Sequence, residues 1–128
     1  KQNVKRNNVD VNLEQFDILD SDLDGLWDVI VSNPPYVLES ERKYMQQNVL
    51  AWEPKIALFV RDETPLLFYE RIADQSTKVL NKNGILYFEI NEKYGKETVD
   101  MLAQKGFVNI ELKKDINDKD RMVKAMWK

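Results

Sequence analysis

One run of five residues constrains the fold more than any other: Trp27-Asp28-Val29-Ile30-Val31. It is short, apolar and β-branched, the pattern of a strand covered on both faces, and such strands sit in parallel sheets flanked by helices. The run ends abruptly at Ser32-Asn33-Pro34-Pro35-Tyr36. Each proline fixes its own φ at about −65° and pushes the preceding residue out of the helical region. The chain therefore leaves the strand as a stiff extended arm.

The rest of the pattern suits an α/β sheet. Val9 to Phe16 alternates apolar and polar residues, the period of a half-buried strand. Asp17 to Gly25 is an Asp-rich loop. Residues 39 to 50 predict a helical turn or two inside a longer excursion. Thr64-Pro65 reads as a cap with proline in the first helical turn. A stripe of Leu66, Tyr69, Ile72, Ala73, Val79 and Leu80 then predicts a helix through Leu80, stopped by Asn81 to Gly84. Ile85 to Ile90 predicts the next strand, and Lys96 to Lys105 a helix with Val99, Leu102 and Ala103 inward. Asn109 to Lys113 and Met122 to Trp127 alternate as two final strands joined through Asn117 to Asp120. A mostly parallel sheet closed by a C-terminal antiparallel hairpin is the expected architecture.

Asn33 to Tyr36 carry the chemistry. Neither proline has an N–H to donate, so the arm offers the side-chain oxygen of Asn33 and the backbone oxygen of Pro34 as neighbouring acceptors. Two acceptors side by side suit an NH2 group on a planar amide or a nucleobase. Holding both hydrogens aligns a weakly nucleophilic nitrogen and stabilises positive charge that grows on it. Tyr36 adds an aromatic wall. Asn33, Pro34 and Tyr36 are the candidate catalytic residues, and Asn33 to Tyr36 the candidate substrate-binding loop. A double proline that merely terminates a strand is the structural alternative.

Composition narrows the classes of function. The chain has no His and no Cys among 128 residues, which removes thiol nucleophiles, common zinc sites and His-based triads, and no metal is expected. The missing cysteines fit a reducing compartment, so a cytoplasmic location is expected. No apolar run is long enough for a membrane helix. A net charge of −3 argues against a nucleic-acid surface. The opening residues 1 to 8 read as the last turns of a helix, so the chain is expected to be a fragment.

At these residues the chain resembles the N(5)-glutamine methyltransferases that modify peptide-chain release factors. The shared features are Asp17, the lead Val29-Ile30-Val31-Ser32 into Asn33-Pro34-Pro35-Tyr36, and Glu53-Pro54 with Ala57-Leu58. Gly84 through Glu89-Ile90, and Lys114-Asp115 with Arg121, complete the pattern. The resemblance implies a Rossmann-like class I fold dependent on S-adenosylmethionine, with Asp17 and Ile18 against the adenine. It places Asn33 between cofactor and substrate and implies a release factor as protein partner. From the residues alone, Asp17 is equally a loop cap, Glu53 a solvent-facing residue, Glu89 a strand-end carboxylate with a structural partner, and Arg121 an ordinary hairpin residue. Where the family pattern continues Glu-Ile-Gly, this chain has Asn91-Glu92-Lys93. By the same resemblance, residues 1–128 are the C-terminal part of a catalytic domain. The family's helical N-terminal domain, glycine-rich cofactor loop and ribose-gripping acid would all precede Lys1.

Two other readings remain open at this point. One is an amino-methyltransferase acting on adenine or cytosine of nucleic acid; the other is an inactive fragment that self-associates through an open sheet edge. The family's strand order, 3-2-1-4-5-7-6, makes Val9–Phe16 strand three and Trp27–Val31 strand four, so the first two strands are expected to be missing. The connection from Asp17 to Gly25 is too short for an ordinary parallel crossover. Either another chain fills the gap or Val9–Phe16 is displaced, while the order 4-5-7-6 is kept.

Overall fold

The computed structural model describes residues 2–45, 51–52 and 54–128. Glu53 and the second part of the expected turns, residues 46 to 50, lie outside the described residues. Helix α1 (Gln2–Asn7) opens the chain, with Lys5 and Arg6 in its last turn. Asn8, at φ 50°, ends it in the left-handed conformation that asparagine tolerates.

The main sheet has four strands: β1 (Trp27–Ser32), β4 (Leu80–Glu89), β5 (Val108–Lys114) and β6 (Asp120–Met126). Their order is β1-β4-β6-β5, which is the expected 4-5-7-6 in the family's numbering. β1 pairs parallel with β4, from Val29↔Ile85 to Ser32↔Phe88. β6 runs antiparallel to both β4 and β5, as the predicted hairpin requires. β2 (Val37–Leu38) and β3 (Phe59–Val60) form a separate two-stranded parallel pair. That pair brings together the two ends of the excursion after the proline arm.

Helices α2 (Leu67–Val79) and α3 (Gly95–Gln104) cover one face of the sheet. Tyr69, Ile72 and Ala73 from α2, and Met101 and Leu102 from α3, pack on Leu86, Phe88, Ile90, Val123 and Ala125. Each fully buried large side chain contributes about 1.5–3 kcal/mol relative to exposure. Tyr69 meets Phe88 edge-on at 5.2 Å, a favoured aromatic geometry.

Several expectations are corrected. Val9–Phe16 forms no strand; Val9, Val11, Leu13 and Phe16 are each about half exposed. Alternation supplies a face but not a partner, and the loop that follows is bonded to Arg71 and Gln75 on α2 rather than to a strand. Helix α2 begins two residues after Pro65, because Thr64 closes a turn by accepting Leu67 N–H through its carbonyl (3.1 Å). Leu80 belongs to β4 rather than the helix, and Asn81 to Gly84 run inside β4 as an irregularity. There Asn83 takes φ 64°, and a Cβ on Gly84 would lie 2.8 Å from the Asn81 carbonyl oxygen. Glycine is required at that crowded point, not as a helix stop. On α3, Ala103 is exposed, and Thr98 and Met101 face inward instead.

Candidate active site

The proline arm emerges at the carboxyl end of β1, where open α/β sheets bind their ligands. Pro34 is buried, Pro35 and Tyr36 are half-buried and Asn33 is exposed. The arm separates two cavities. Asn33 lines one of about 430 Å³ together with Val31, Tyr87, Glu89, Met122 and Lys124. Pro34 and Pro35 line another, of about 260 Å³, with Ile18, Ile30, Phe68 and Ile72. An acceptor-bearing residue thus faces one side while the prolines wall the other, and Ile18 joins the prolines in an apolar slot.

Tyr36 is fixed from two directions. Its hydroxyl donates to Glu89 Oε1 at 2.7 Å, and its carbonyl accepts from Asn91 Nδ2 at 3.1 Å. Burial, and then the neighbouring Glu89 carboxylate, push the phenol up to about 12, against a smaller opposing pull from Arg121. Tyr69, behind it, donates its hydroxyl to the Glu89 carbonyl at 3.1 Å, and burial raises this phenol too. Arg121 is anchored by Asp115 at 3.2 Å and by the Ile90 carbonyl at 3.3 Å.

Glu41 ties the start of the excursion to the same place. It accepts from Leu38 N–H and Asn91 Nδ2, both at 3.1 Å, and from Lys93 Nζ at 2.5 Å. Burial alone would raise its carboxyl, but Lys93 and the two other donors outweigh that and hold it below the usual range.

Asp17 and Ile18 sit on the loop packed along α2. Asp17 Oδ1 accepts from Leu19 N–H at 2.9 Å, an Asx-turn. Arg71 donates to the carbonyls of Ile18 and Ser21 at 2.9 Å and pairs with Asp22 at 2.8 Å. The guanidinium holds the Asp22 carboxyl below its ordinary range. Gln75, fully buried, accepts from Leu23 N–H and donates to Asp22. Ile18 therefore reaches the proline arm through one slot, while Asp17 lines an adjoining cavity with Phe16, Ile56 and Phe68.

Nothing in the sequence pattern marks Arg71, Gln75 or Glu41, and Asn91 stands out there only as a departure from the resemblance. Glu89 had a signal, as the only charge in the otherwise uncharged run Ile85–Ile90, where a carboxylate needs a partner. Among the described residues no group of acidic side chains could hold a metal ion. No helix among them is long and apolar enough to cross a membrane.

No family model matches the chain. It is 47% identical over 129 residues to the release factor glutamine methyltransferase of Flavobacterium psychrophilum, covering 100% of this chain and 45% of that protein. With the enzyme of the same name from Bacteroides thetaiotaomicron it shares 42% identity over 127 residues, 98% of this chain and 46% of the relative. In three dimensions it is similar to a methyltransferase from Pyrococcus furiosus, with a TM-score of 0.64 and 18% identity. That match covers 98% of this chain and 54% of the other, and it carries the fold alone. The chain spans less than half the length of these two curated relatives. Its sheet has a Rossmann-like class I methyltransferase fold. Over its whole length the chain is similar to part of the release factor glutamine methyltransferases, at 47% and 42% identity to these two.

Proposed function

We propose that these residues are the C-terminal part of a longer enzyme that transfers a methyl group from S-adenosylmethionine to the side-chain amide nitrogen of a glutamine in a protein. A peptide-chain release factor is the substrate that the names of its relatives suggest. The observation that carries the reading is the arm Asn33-Pro34-Pro35-Tyr36 at the carboxyl end of β1, between two cavities.

The residues present fit part of the cofactor. The slot of Ile18, Ile30, Pro34 and Phe68 is apolar and suits a flat base, with Asp17 at the next turn. The ribose and methionine end finds no cradle here, since none of the four glycines forms a glycine-rich strand–helix loop. In the proposed parent, residues outside this stretch supply that part. When bound, S-adenosylmethionine supplies the methyl group and takes the electron pair of the breaking bond onto its sulfur.

The chain's own residues act on the amide. The Asn33 side-chain oxygen and the Pro34 carbonyl accept the two N–H hydrogens, turning the nitrogen so that its lone pair faces the incoming carbon. As the N–C bond forms, positive charge grows on nitrogen and the same two oxygens stabilise it. One proton then leaves to solvent, so no strong base is needed in a chain without histidine. Tyr36 walls the acyl side of the amide. A soluble, cytoplasmic setting suits a release-factor substrate.

The test is methyl transfer by the full-length protein to a glutamine peptide from a release-factor loop, with the asparagine peptide beside it. Glutamine is expected to be methylated. Asparagine, about 1.5 Å shorter in reach, should be slower by roughly 100-fold. Equal rates on both peptides, or transfer to DNA or RNA instead, would overturn the proposal.

A further inference from the structure

We propose that Glu89 and Asn91, at the end of β4, are positioning residues for Tyr36, and that Asn91 is a fixed joint between β4, the proline arm and the excursion that follows it. The proposal rests on the reading of Asn33–Tyr36 as the amide-binding loop.

Tyr36 is held at both ends by residues only two positions apart. Glu89 Oε1 accepts its hydroxyl at 2.7 Å, and Asn91 Nδ2 donates to its carbonyl at 3.1 Å. The ring lies between these two points, so neither its tilt nor the backbone that follows Pro35 is free to change alone. Asn91 is 7% exposed and its amide is used on both sides. Nδ2 also reaches Glu41 at 3.1 Å, and Oδ1 accepts Lys93 N–H at 3.0 Å, capping the turn Glu92–Tyr94. Glu41 in turn holds Leu38 N–H at 3.1 Å, two residues beyond Tyr36. One asparagine thus joins β4, the proline arm and the excursion. Glycine at this position has neither donor nor acceptor and could make none of these side-chain bonds.

Core packing does not demand this arrangement. The core is built from Tyr69, Phe88, Leu86, Ile90 and the helices, whereas Tyr36 is half-buried at its margin, next to the exposed Asn33. A carboxylate and an asparagine aimed at one marginal tyrosine restrict where that ring stands. Ring position is what matters for a substrate amide that must meet its methyl donor to within a fraction of an ångström.

The full-length protein carrying Glu89→Ala, Glu89→Gln, Tyr36→Phe or Asn91→Gly tests this. The readouts are kcat and KM on the glutamine peptide, cofactor Kd, and the Tyr36 phenol titration followed by NMR of labelled tyrosine. Glu89→Ala and Tyr36→Phe should each lower kcat about 10- to 100-fold while leaving cofactor affinity unchanged. Glu89→Gln keeps an oxygen that accepts the phenol proton, so it should recover most of the loss. In that variant the phenol should titrate below its parent position, because the repelling carboxylate is gone. The double variant Glu89→Ala with Tyr36→Phe should be no slower than either single one, since both break the same bond. Asn91→Gly should lower kcat in the same way.

Additive losses, a Gln variant as slow as the Ala variant, or an unmoved phenol titration would each overturn the proposal. Should Glu89→Ala not fold, Tyr36→Phe, which removes a single oxygen, and the Gln variant's titration decide it. If the parent transfers no methyl to glutamine, the reading of the loop fails, and the titration still decides whether Glu89 holds Tyr36.

Discussion

Arg71, on α2, donates through Nε to the carbonyl of Ile18 at 2.9 Å, across 53 positions of sequence. Its Nη2 reaches Ser21 and Asp22, so a single guanidinium pins three residues of the loop that carries Asp17. Arg71→Ala should release that loop while leaving the sheet intact. In the full-length protein, cofactor Kd should rise about tenfold, a loss of about 1.4 kcal/mol. Titration calorimetry checks it, and an unchanged Kd would separate the loop from cofactor binding.

Asn33→Ala removes one of the two proposed acceptors without altering Pro34 or Pro35. Turnover on the glutamine peptide should fall by about two to three orders of magnitude, comparable to deleting an oxyanion-type contact. Cofactor affinity should change little. Asn33→Asp should fail as well, because a carboxylate there adds charge beside a sulfonium. Wild-type turnover in the alanine variant would refute the proposed chemistry.

Alkaline pH should expose the environment of Tyr36. Its phenol is raised from the ordinary value of 10.0 to about 12 in the folded chain. A raised folded value means that the stabilising contribution is complete below pH 10 and is lost as pH climbs towards about 12. Urea melts between these limits should show stability falling, and Tyr36→Phe should flatten that fall. Identical alkaline limbs in the two proteins would contradict the assignment.

Nothing among the described residues pairs with the outer edge of β1, where Val31 is 74% and Val29 51% exposed. Free apolar edges recruit strands, and in a solution of the 128-residue chain the available partner is a second copy. Sedimentation velocity should show association that grows with concentration, and Val29→Lys should suppress it. A single monomeric species at every concentration would argue against pairing at that edge.

Local chemistry made part of this molecule readable. The β-branched run and the two prolines announce β1 and its arm because their constraints act within one or two residues, but the expected cover on both faces is missing, with Val29 51% and Val31 74% exposed. The sheet order followed from the resemblance, and the hairpin from alternation around a polar turn. Val9–Phe16 misled because a two-residue period encodes a face and says nothing of the ladder it needs. Gly84 was read as punctuation when its role is to let β4 pass the carbonyls of Asn81 and Asp28. Tyr36 with Glu89, and Arg71 with Ile18, lie 53 positions apart, where no local period reports contact. The charged end of an apolar strand was the single hint.

β6 stands between β4 and β5, although it follows both in the chain. While the polypeptide is being made, β4 and β5 therefore have no strand to join them until Asp120–Met126 emerges from the ribosome. Those residues also bond back to the irregular start of β4, through Trp127 with Asn83 and Gly84 at 2.9 Å. The emergence of these residues, rather than of the proline arm, sets the earliest moment at which the sheet can close, and until then two apolar strands wait for a common neighbour.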